Sequence, residues 1–305
     1  MPEMPFAIKE EENFDPALER LTFPALRALY RRLGTPDIPA AEDRPFALTA
    51  RRGTRAIGFL LGCAEGGQPG LFRIHSVYVS PPMRQKGVAT ALWEKAEAYC
   101  REQGGTRLMV NYVVGKPAIA HLEKILARQG WSEPQQSMLV IKTHMELAVQ
   151  APWYKEWALP ENYRIASWGE ATEEEKEEIL SSHAEERWIA EDLIPFRYLP
   201  DHHPETSLAL YREGRIRGWL INHLVQGVVR YTCSFVHPEL QRKGRVFVLY
   251  SEAMRRMQAL GLDQGMWTVP TRHPAMQAFA KRWMQPYSTS FTESRDALKE
   301  LSGSV

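Results

Sequence analysis

Apolar residues recur along the chain with two different spacings, and each spacing predicts a type of element. Within 89–103 an apolar residue falls at every third or fourth position, which predicts a helix that ends at Gly104. The run LMVNYVV that follows is almost entirely apolar and predicts a buried strand. Turn signals at Gly53 and Gly214 predict two hairpins. Each half of the chain therefore reads as strand, one or two helices, strand, turn, strand, strand, helix, strand, helix, strand.

The second half of the chain repeats the first. The stretch VYVSPPMRQKGVATAL begins at Val77, and SFVHPELQRKGRVFVL begins at Ser234. A constant offset of 157 positions pairs Lys86 with Lys243, and the register continues without a gap through the following helix, strand and helix. A repeat of this length is a whole domain rather than a solenoid module.

The repeat predicts two domains in tandem, and a length of 305 residues agrees with that number. We expect a first domain at residues 1–149, a linker at 150–162 and a second domain at 163–305. The linker contains Trp153 and Trp157, which we expect to pack on a domain surface. These tryptophans would line a ligand cleft in the alternative interpretation.

Composition narrows the class of protein. A net charge of +1, with Lys and Arg scattered among nearly equal numbers of Asp and Glu, argues against a nucleic-acid partner. The three cysteines lie far apart and outside any metal-binding spacing, so we predict neither a disulfide framework nor a metal site. No signal-peptide pattern is present and no apolar run approaches the roughly 18 residues of a membrane span. We therefore expect no membrane partner and a cytoplasmic location.

The junction that occurs twice has the layout of an anion site. A strand that ends at Val79 is followed by a proline turn and by a basic segment that opens a helix. Free N–H groups and the helix dipole favour a phosphate group at such a helix start. Gly87 and Ala89 are small enough for the backbone to approach an anion closely, and Arg84 and Lys86 add positive charge.

This junction resembles the acetyl-CoA motif of the GNAT acetyltransferase superfamily. The pattern V-x-P-x-x-R-x-x-G-x-A is complete from Val79 to Ala89, and its echo in the second half suggests two such folds in tandem. The resemblance implies an α/β fold in which each domain has a twisted mixed β-sheet flanked by helices. It also implies a splay between the fourth and fifth strands, where acetyl-CoA binds as the donor substrate.

The same resemblance implies which residues hold the cofactor. Backbone groups of the fourth strand would pair with the pantetheine arm, and amides of the following loop would bind the pyrophosphate. The expected cofactor-binding residues are Val77, Tyr78, Val79, Arg84, Gln85, Lys86, Gly87, Val88, Ala89 and Thr90.

The catalytic groups are less clear from the sequence. Direct attack of an amine on the thioester needs a base and a proton donor to the leaving thiolate. Family members often carry a tyrosine in the helix after the fifth strand, but the corresponding positions here hold Leu122 or Leu126. His75 is a candidate base on the fourth strand, and Tyr112 is a candidate donor on the fifth. Both residue types are also common as structural residues in strands.

The second copy departs further from the motif. Val246 stands where the first copy has Ala89, and a β-branched residue in the first helical turn crowds the place that the pyrophosphate would approach. Phe279 pairs with Leu122 and lacks the hydroxyl of the family tyrosine. We therefore expect the first copy to bind the cofactor and the second to be degenerate.

The resemblance as a whole implies an acetyl-CoA-dependent N-acetyltransferase that acts on a small-molecule or peptide amine. Two alternatives remain open. In the first, both copies have lost catalysis and the protein binds acyl-CoA as a sensor or scaffold. In the second, the enzyme uses a different acyl-CoA as donor. The sequence identifies neither the acceptor amine nor the oligomeric state.

Overall fold

The computed structural model describes residues 6–301, which form twelve strands and seven α-helices. The first ten elements follow the predicted order, with one short helix added at the end. In chain order they are β1 (Ala7–Glu11), α1 (Arg27–Arg31), β2 (Arg44–Arg52), β3 (Arg55–Ala64), β4 (Leu71–Val79), α2 (Val88–Glu102), β5 (Arg107–Val113), α3 (Ile119–Arg128), β6 (Gln135–His144) and α4 (Met145–Ala148).

The second half of the chain repeats this order of elements. They are β7 (Tyr163–Ser167), α5 (Glu173–Glu186), β8 (Leu208–Arg212), β9 (Arg215–Val225), β10 (Val228–Val236), α6 (Arg245–Ala259), β11 (Gln264–Pro270), α7 (Pro274–Trp283) and β12 (Ser290–Glu300). Among the described residues, no helix combines the length and the apolar composition that a membrane crossing requires.

The described residues divide into two compact units whose boundaries differ from the predicted ones. Unit 1 contains residues 6–137 and 294–301, and unit 2 contains residues 138–293. The boundaries fall inside β6 and inside β12, so each of these strands begins in one unit and ends in the other. The predicted division at 149 is based on the sequence repeat. The compact units are instead determined by the strands with which β6 and β12 pair.

Unit 1 contains a mixed sheet with the strand order β1-β2-β3-β4-β5-β12. Its neighbours are antiparallel except β4 and β5, which are parallel. β12 pairs with β5 from Ser294 opposite Val113 to Glu300 opposite Arg107. The last strand of the chain therefore completes the sheet that contains the first half's strands.

Unit 2 has the corresponding order β6-β11-β10-β9-β8-β7, with β10 and β11 parallel. β6 pairs with β11 from Met138 opposite Pro270 to His144 opposite Gln264. At the offset of 157 positions, β6 and β12 are equivalent strands, and each occupies the same place in the strand order of its sheet. This equivalence permits the strand exchange, and it explains why the sequence alone assigns each strand to its own copy.

Both faces of the unit 1 sheet are covered. The face that packs on α2 buries Leu60, Leu92 and Trp93, and the face that packs on α1 buries Tyr30 and Phe59. Burying side chains of this size contributes about 1.5–3 kcal/mol each. Because both faces are packed, the strands of this sheet hold their residues in fixed positions.

Trp153 packs on unit 2 more deeply than a surface contact. Its side chain is 4% exposed and belongs to the core of unit 2, where its Nε1–H donates to the carbonyl oxygen of Trp283 at 2.8 Å. Burying the indole and pairing its N–H stabilise this position more than surface contact would. The segment 150–162 is therefore anchored in unit 2.

Candidate active site

The two parallel strands at the centre of unit 1 separate part of the way along their length. β4 pairs with β5 from Leu71 to Ile74, opposite Arg107 to Val110, and the remaining residues 75–79 of β4 lie beyond this pairing. The N–H of Ser80 donates to the carbonyl oxygen of Ile57 at 2.8 Å, so the backbone groups of Ser80 point toward β3. Because backbone groups of successive strand residues point in opposite directions, those of Val79 point toward the splay.

A β-bulge marks the point where the strands separate. Leu61 lies opposite Ser76 and Gly62 lies opposite Ile74, so His75 is the extra residue of β4. Bulges re-aim side chains and bend strands beside active sites. The equivalent irregularity in unit 2 lies between Tyr231 and Cys233, and the sequence pattern gave no sign of either bulge.

The structure places the ten predicted cofactor residues on one continuous path. Gly87 has a φ of +79°, in the left-handed region that glycine adopts without strain, and Gln85 also has a positive φ of +61°. The path runs along Val77, Tyr78 and Val79 at the end of β4, through the exposed loop residues Arg84, Gln85, Lys86 and Gly87, to Val88, Ala89 and Thr90 in the first turn of α2.

The start of α2 presents unpaired donors. The N–H of Ala91 donates to the carbonyl oxygen of Gly87 at 3.0 Å, whereas the three N–H groups of 88–90 precede any possible intrahelical partner. Apart from Gly87 and the chain directly next to it, no described residue lies within 4 Å of the position that a β-carbon on Gly87 would take. Backbone donors, the helix dipole and open space together form a suitable site for a phosphate group.

Arg84 connects the loop to the open strand end. Its Nε donates to the carbonyl oxygen of Val79 at 3.2 Å, and its side chain is exposed. The guanidinium therefore lies beside both the strand and the loop. In unit 2, the amide of Gln241 makes the equivalent bond to the carbonyl oxygen of Val236 at 3.1 Å, so this tie is common to the two copies.

The second copy has the same loop conformation, but aromatic side chains cover it. Gly244 and Arg242 have φ values of +72° and +60°, yet a β-carbon on Gly244 would lie 3.5 Å from the ring of Trp157. The N–H of Phe247 already donates to the carbonyl oxygen of Gly244 at 3.0 Å. The Phe247 ring stacks on Trp153, with centroids 5.2 Å apart. Less space and one fewer free donor remain for an anion than in unit 1.

His75 belongs to a polar cluster on β3 and β4 of unit 1. Its Nε2 lies 3.1 Å from Sγ of Cys63, and that sulfur lies 3.7 Å from Oε1 of Glu65. The Arg73 guanidinium donates to the same carboxylate oxygen. Sequence reasoning missed Cys63, Glu65 and Arg73, although the pairing of Cys63 with Arg73 follows from the predicted hairpin once the register is known.

Burial sets the protonation states in this cluster. Desolvation lowers the pKa of His75 below its ordinary value of 6.5, and the Arg73 charge lowers it further, while Glu65 and Asp43 act in the opposite direction. Desolvation also raises the pKa of the Cys63 thiol, and the nearby carboxylates of Asp43 and Glu65 add to that shift. At neutral pH the imidazole is therefore neutral and the sulfur is a thiol.

Tyr112 lies on β5, with its side chain 8% exposed. Its hydroxyl donates to Oε1 of Glu123 on α3 at 2.8 Å, and Arg295 of β12 pairs with the same oxygen at 3.1 Å. Desolvation and this bond raise the pKa of Tyr112 well above its usual range. No contact between Tyr112 and the His75 cluster is seen among the described residues, so these two candidates are not brought together directly.

An open strand edge lies beside a helix start that can bind an anion, which is the arrangement that the GNAT resemblance implies for an acyl-CoA site. The model of the acetyltransferase (GNAT) family matches residues 10–126 and 156–284. The matched segments cover most of the chain, and the chain belongs to the GNAT family. Members of this family are acyltransferases, which supports acyl-CoA-dependent N-acyl transfer as the general activity.

Solved structures with the same fold include tandem proteins. A tandem GNAT protein from the clavulanic acid biosynthesis pathway is 15% identical, with a TM-score of 0.67, and the match covers 98% of this chain and 100% of that one. A GCN5-related N-acetyltransferase from Sphaerobacter thermophilus is also 15% identical, with a TM-score of 0.65 and coverage of 100% and 98%. At this identity the likeness shows the fold alone. A sequence comparison with curated proteins gave no match.

Proposed function

We propose that this chain is an acetyl-CoA-dependent N-acetyltransferase that binds its donor in unit 1 and acts on an amine of a small molecule or a peptide. The observation that carries the proposal is the difference between the two helix starts. At α2 the N–H groups of 88–90 face open space around Gly87, whereas at α6 the ring of Trp157 covers Gly244.

The proposed binding mode assigns a part of the donor to each segment of the path. The pyrophosphate accepts hydrogen bonds from the loop and the first turn of α2, with Arg84 and Lys86 supplying charge. The pantetheine arm pairs with the backbone groups of Val77 and Val79 that face the splay, beside the Arg84 bond to the Val79 carbonyl oxygen. The thioester then lies deeper in the splay, toward the bulge at His75.

His75 is proposed as the base. A neutral imidazole can accept a proton from the attacking amine, and burial together with Arg73 keeps this imidazole neutral at physiological pH. Tyr112 is proposed as a hydrogen-bond donor to the leaving sulfur. Its hydroxyl bond to Glu123 would have to be redirected for that role, since one hydroxyl proton cannot serve both acceptors.

Release of free CoA tests the proposal. The purified chain would be incubated with acetyl-CoA and a panel of alkylamines, amino acids, amino sugars and peptides with free N-termini, and the thiol product would be measured. We expect at least one amine to raise CoA release above thioester hydrolysis, and Gly87→Trp to abolish the increase. Gly244→Trp is the matched control, because both glycines have a positive φ and both substitutions strain the backbone similarly.

Two results would favour the alternatives. Tight acetyl-CoA binding without release for any amine would favour a sensor or scaffold, for which the absence of the family tyrosine at Leu122 and Leu126 is the main support. A larger thermal shift with another acyl-CoA than with acetyl-CoA would favour a different donor.

A further inference from the structure

The contacts of the His75 cluster favour one arrangement of protons, in which the thiol donates to the carboxylate and the imidazole donates to the sulfur. A thiol has one proton to donate, and an ionised carboxylate can only accept. Glu65 accepts from the Arg73 guanidinium, and it is also the acceptor for Cys63 at 3.7 Å. The Cys63 proton is thus directed to Glu65. The remaining contact, 3.1 Å between Sγ and Nε2 of His75, then requires Nε2–H to donate to sulfur.

This arrangement determines which imidazole nitrogen is free. A neutral imidazole has a single N–H, so a proton on Nε2 leaves a lone pair on Nδ1. Nδ1 of His75 has no hydrogen-bond partner within residues 6–301. The residue lies at the bulge where β4 leaves β5, which is where the proposed thioester would end.

We propose that Cys63 and Glu65 are positioning residues that hold His75 in the Nε2–H tautomer and reserve Nδ1 for the acceptor amine. This inference rests on the proposed function for the role of His75, but the tautomer itself does not depend on it. During transfer, the amine lone pair forms a bond to the thioester carbonyl carbon and an amine proton passes to Nδ1. The C–S bond then breaks, and the CoA thiolate takes up a proton from the imidazolium or from water.

The surrounding charges fit this role. Once protonated, the imidazolium would keep its Nε2–H bond to Cys63, and the carboxylates of Glu65 and Asp43 would offset the repulsion from Arg73. These four residues are the titratable and charged groups that face His75. A metal ion held by Cys63, Glu65 and His75 is the competing interpretation, because their donor atoms lie within 4.8 Å of one another. The Arg73 charge on the shared carboxylate opposes a cation there.

Nitrogen-15 NMR of histidine-labelled protein tests the inference directly. Two-bond correlations distinguish the protonated ring nitrogen from the unprotonated one, and comparison with His75→Gln assigns the signal. At pH 7.5, without acetyl-CoA, we expect His75 in the Nε2–H tautomer. Cys63→Ser, whose hydroxyl can donate and accept in the same way, should keep that tautomer, and Cys63→Ala should raise the fraction of the Nδ1–H tautomer.

Three results would overturn the inference. They are an Nδ1–H tautomer in the wild-type protein, an unchanged tautomer in Cys63→Ala, and one equivalent of zinc in the purified chain whose removal changes the His75 signals. The wild-type spectrum alone is decisive if Cys63→Ala does not fold. The expected tautomer without amine-dependent CoA release would contradict the proposed function only, whereas CoA release with the wrong tautomer would contradict this inference only.

Discussion

His75 couples the stability of the fold to pH because its pKa is lower in the folded protein than its ordinary value of 6.5. The unfolded chain then binds this proton more tightly, so the contribution of His75 is complete above pH 6.5 and is lost as the pH falls below it. We expect the free energy of unfolding of the wild-type protein to fall more steeply between pH 7.5 and pH 5 than that of His75→Gln. Urea titrations at several pH values measure this difference.

A control for this comparison is present in the other half of the chain. Burial also lowers the pKa of His237, which is 7% exposed, so His237→Gln should reduce the pH dependence in the same direction without affecting acetyl-CoA binding. Identical pH slopes for the wild-type protein and His75→Gln would contradict the assignment of a lowered pKa to His75.

At the level of single residues, the conformation of the loop at 84–87 could be predicted from the sequence, whereas the neighbours of His75 could not. The small residues at Gly87 and Ala89 and the strand before them depend on local backbone geometry, which a motif records. The neighbours of His75 depend on a bulge and on the register of β3 against β4, which bring Cys63 and Glu65 together from another strand. The periodicity of apolar residues does not encode such contacts. The sequence therefore did not predict which residues contact His75.

The exchanged strand β12 is tied to unit 1 by a buried ion pair. Lys299 donates to both carboxylate oxygens of Glu97 on α2 at 2.7 Å, and also to the carbonyl oxygen of Gln129. The two side chains are 15% and 8% exposed. Lys299→Met should leave the buried Glu97 with only Arg101, 3.5 Å away, as an ion-pair partner. We expect the free energy of unfolding, measured by chemical denaturation, to fall by about 3 kcal/mol, the lower end of the range for a broken buried pair.

Matched variants separate this effect from a general loss of charge. Glu97→Gln combined with Lys299→Met should recover much of the loss, because no buried charge is then left unpaired. Arg31→Met removes the exposed partner of Glu19 and should cost less than about 1 kcal/mol. A Lys299→Met variant as stable as Arg31→Met would contradict a stabilising role for the pair.

The sequence predicted the type and order of the elements, but it did not predict which strands pair with each other. The repeat makes β6 and β12 equivalent in sequence position, and so the sequence does not show which sheet each strand completes. The contacts that distinguish them, such as Lys299 with Glu97, join residues about two hundred positions apart. The spacing of apolar residues within one element contains no information about such a distant pair.

The strand exchange has a consequence for the molecule as a whole. A fragment of residues 1–149 lacks β12 and Leu301 directly after it, and with them two residues of the unit 1 core, Ala297 and Leu301. We expect this fragment to aggregate or self-associate, because an unpaired edge of β5 invites pairing with another chain. Co-expression with residues 150–305 should restore a folded complex, which size-exclusion chromatography would detect. A monomeric fragment 1–149 that binds acetyl-CoA normally would show instead that β6 can return to β5.

We propose that only one of the two repeated loops binds the donor. Calorimetric titration with acetyl-CoA tests this proposal most directly. We predict one acetyl-CoA per wild-type chain, at least a 100-fold loss of affinity in Gly87→Trp and unchanged binding in Gly244→Trp. Circular dichroism would verify that both variants are folded. Two acetyl-CoA molecules per chain, or a loss of binding in Gly244→Trp alone, would contradict the assignment of the donor site to unit 1.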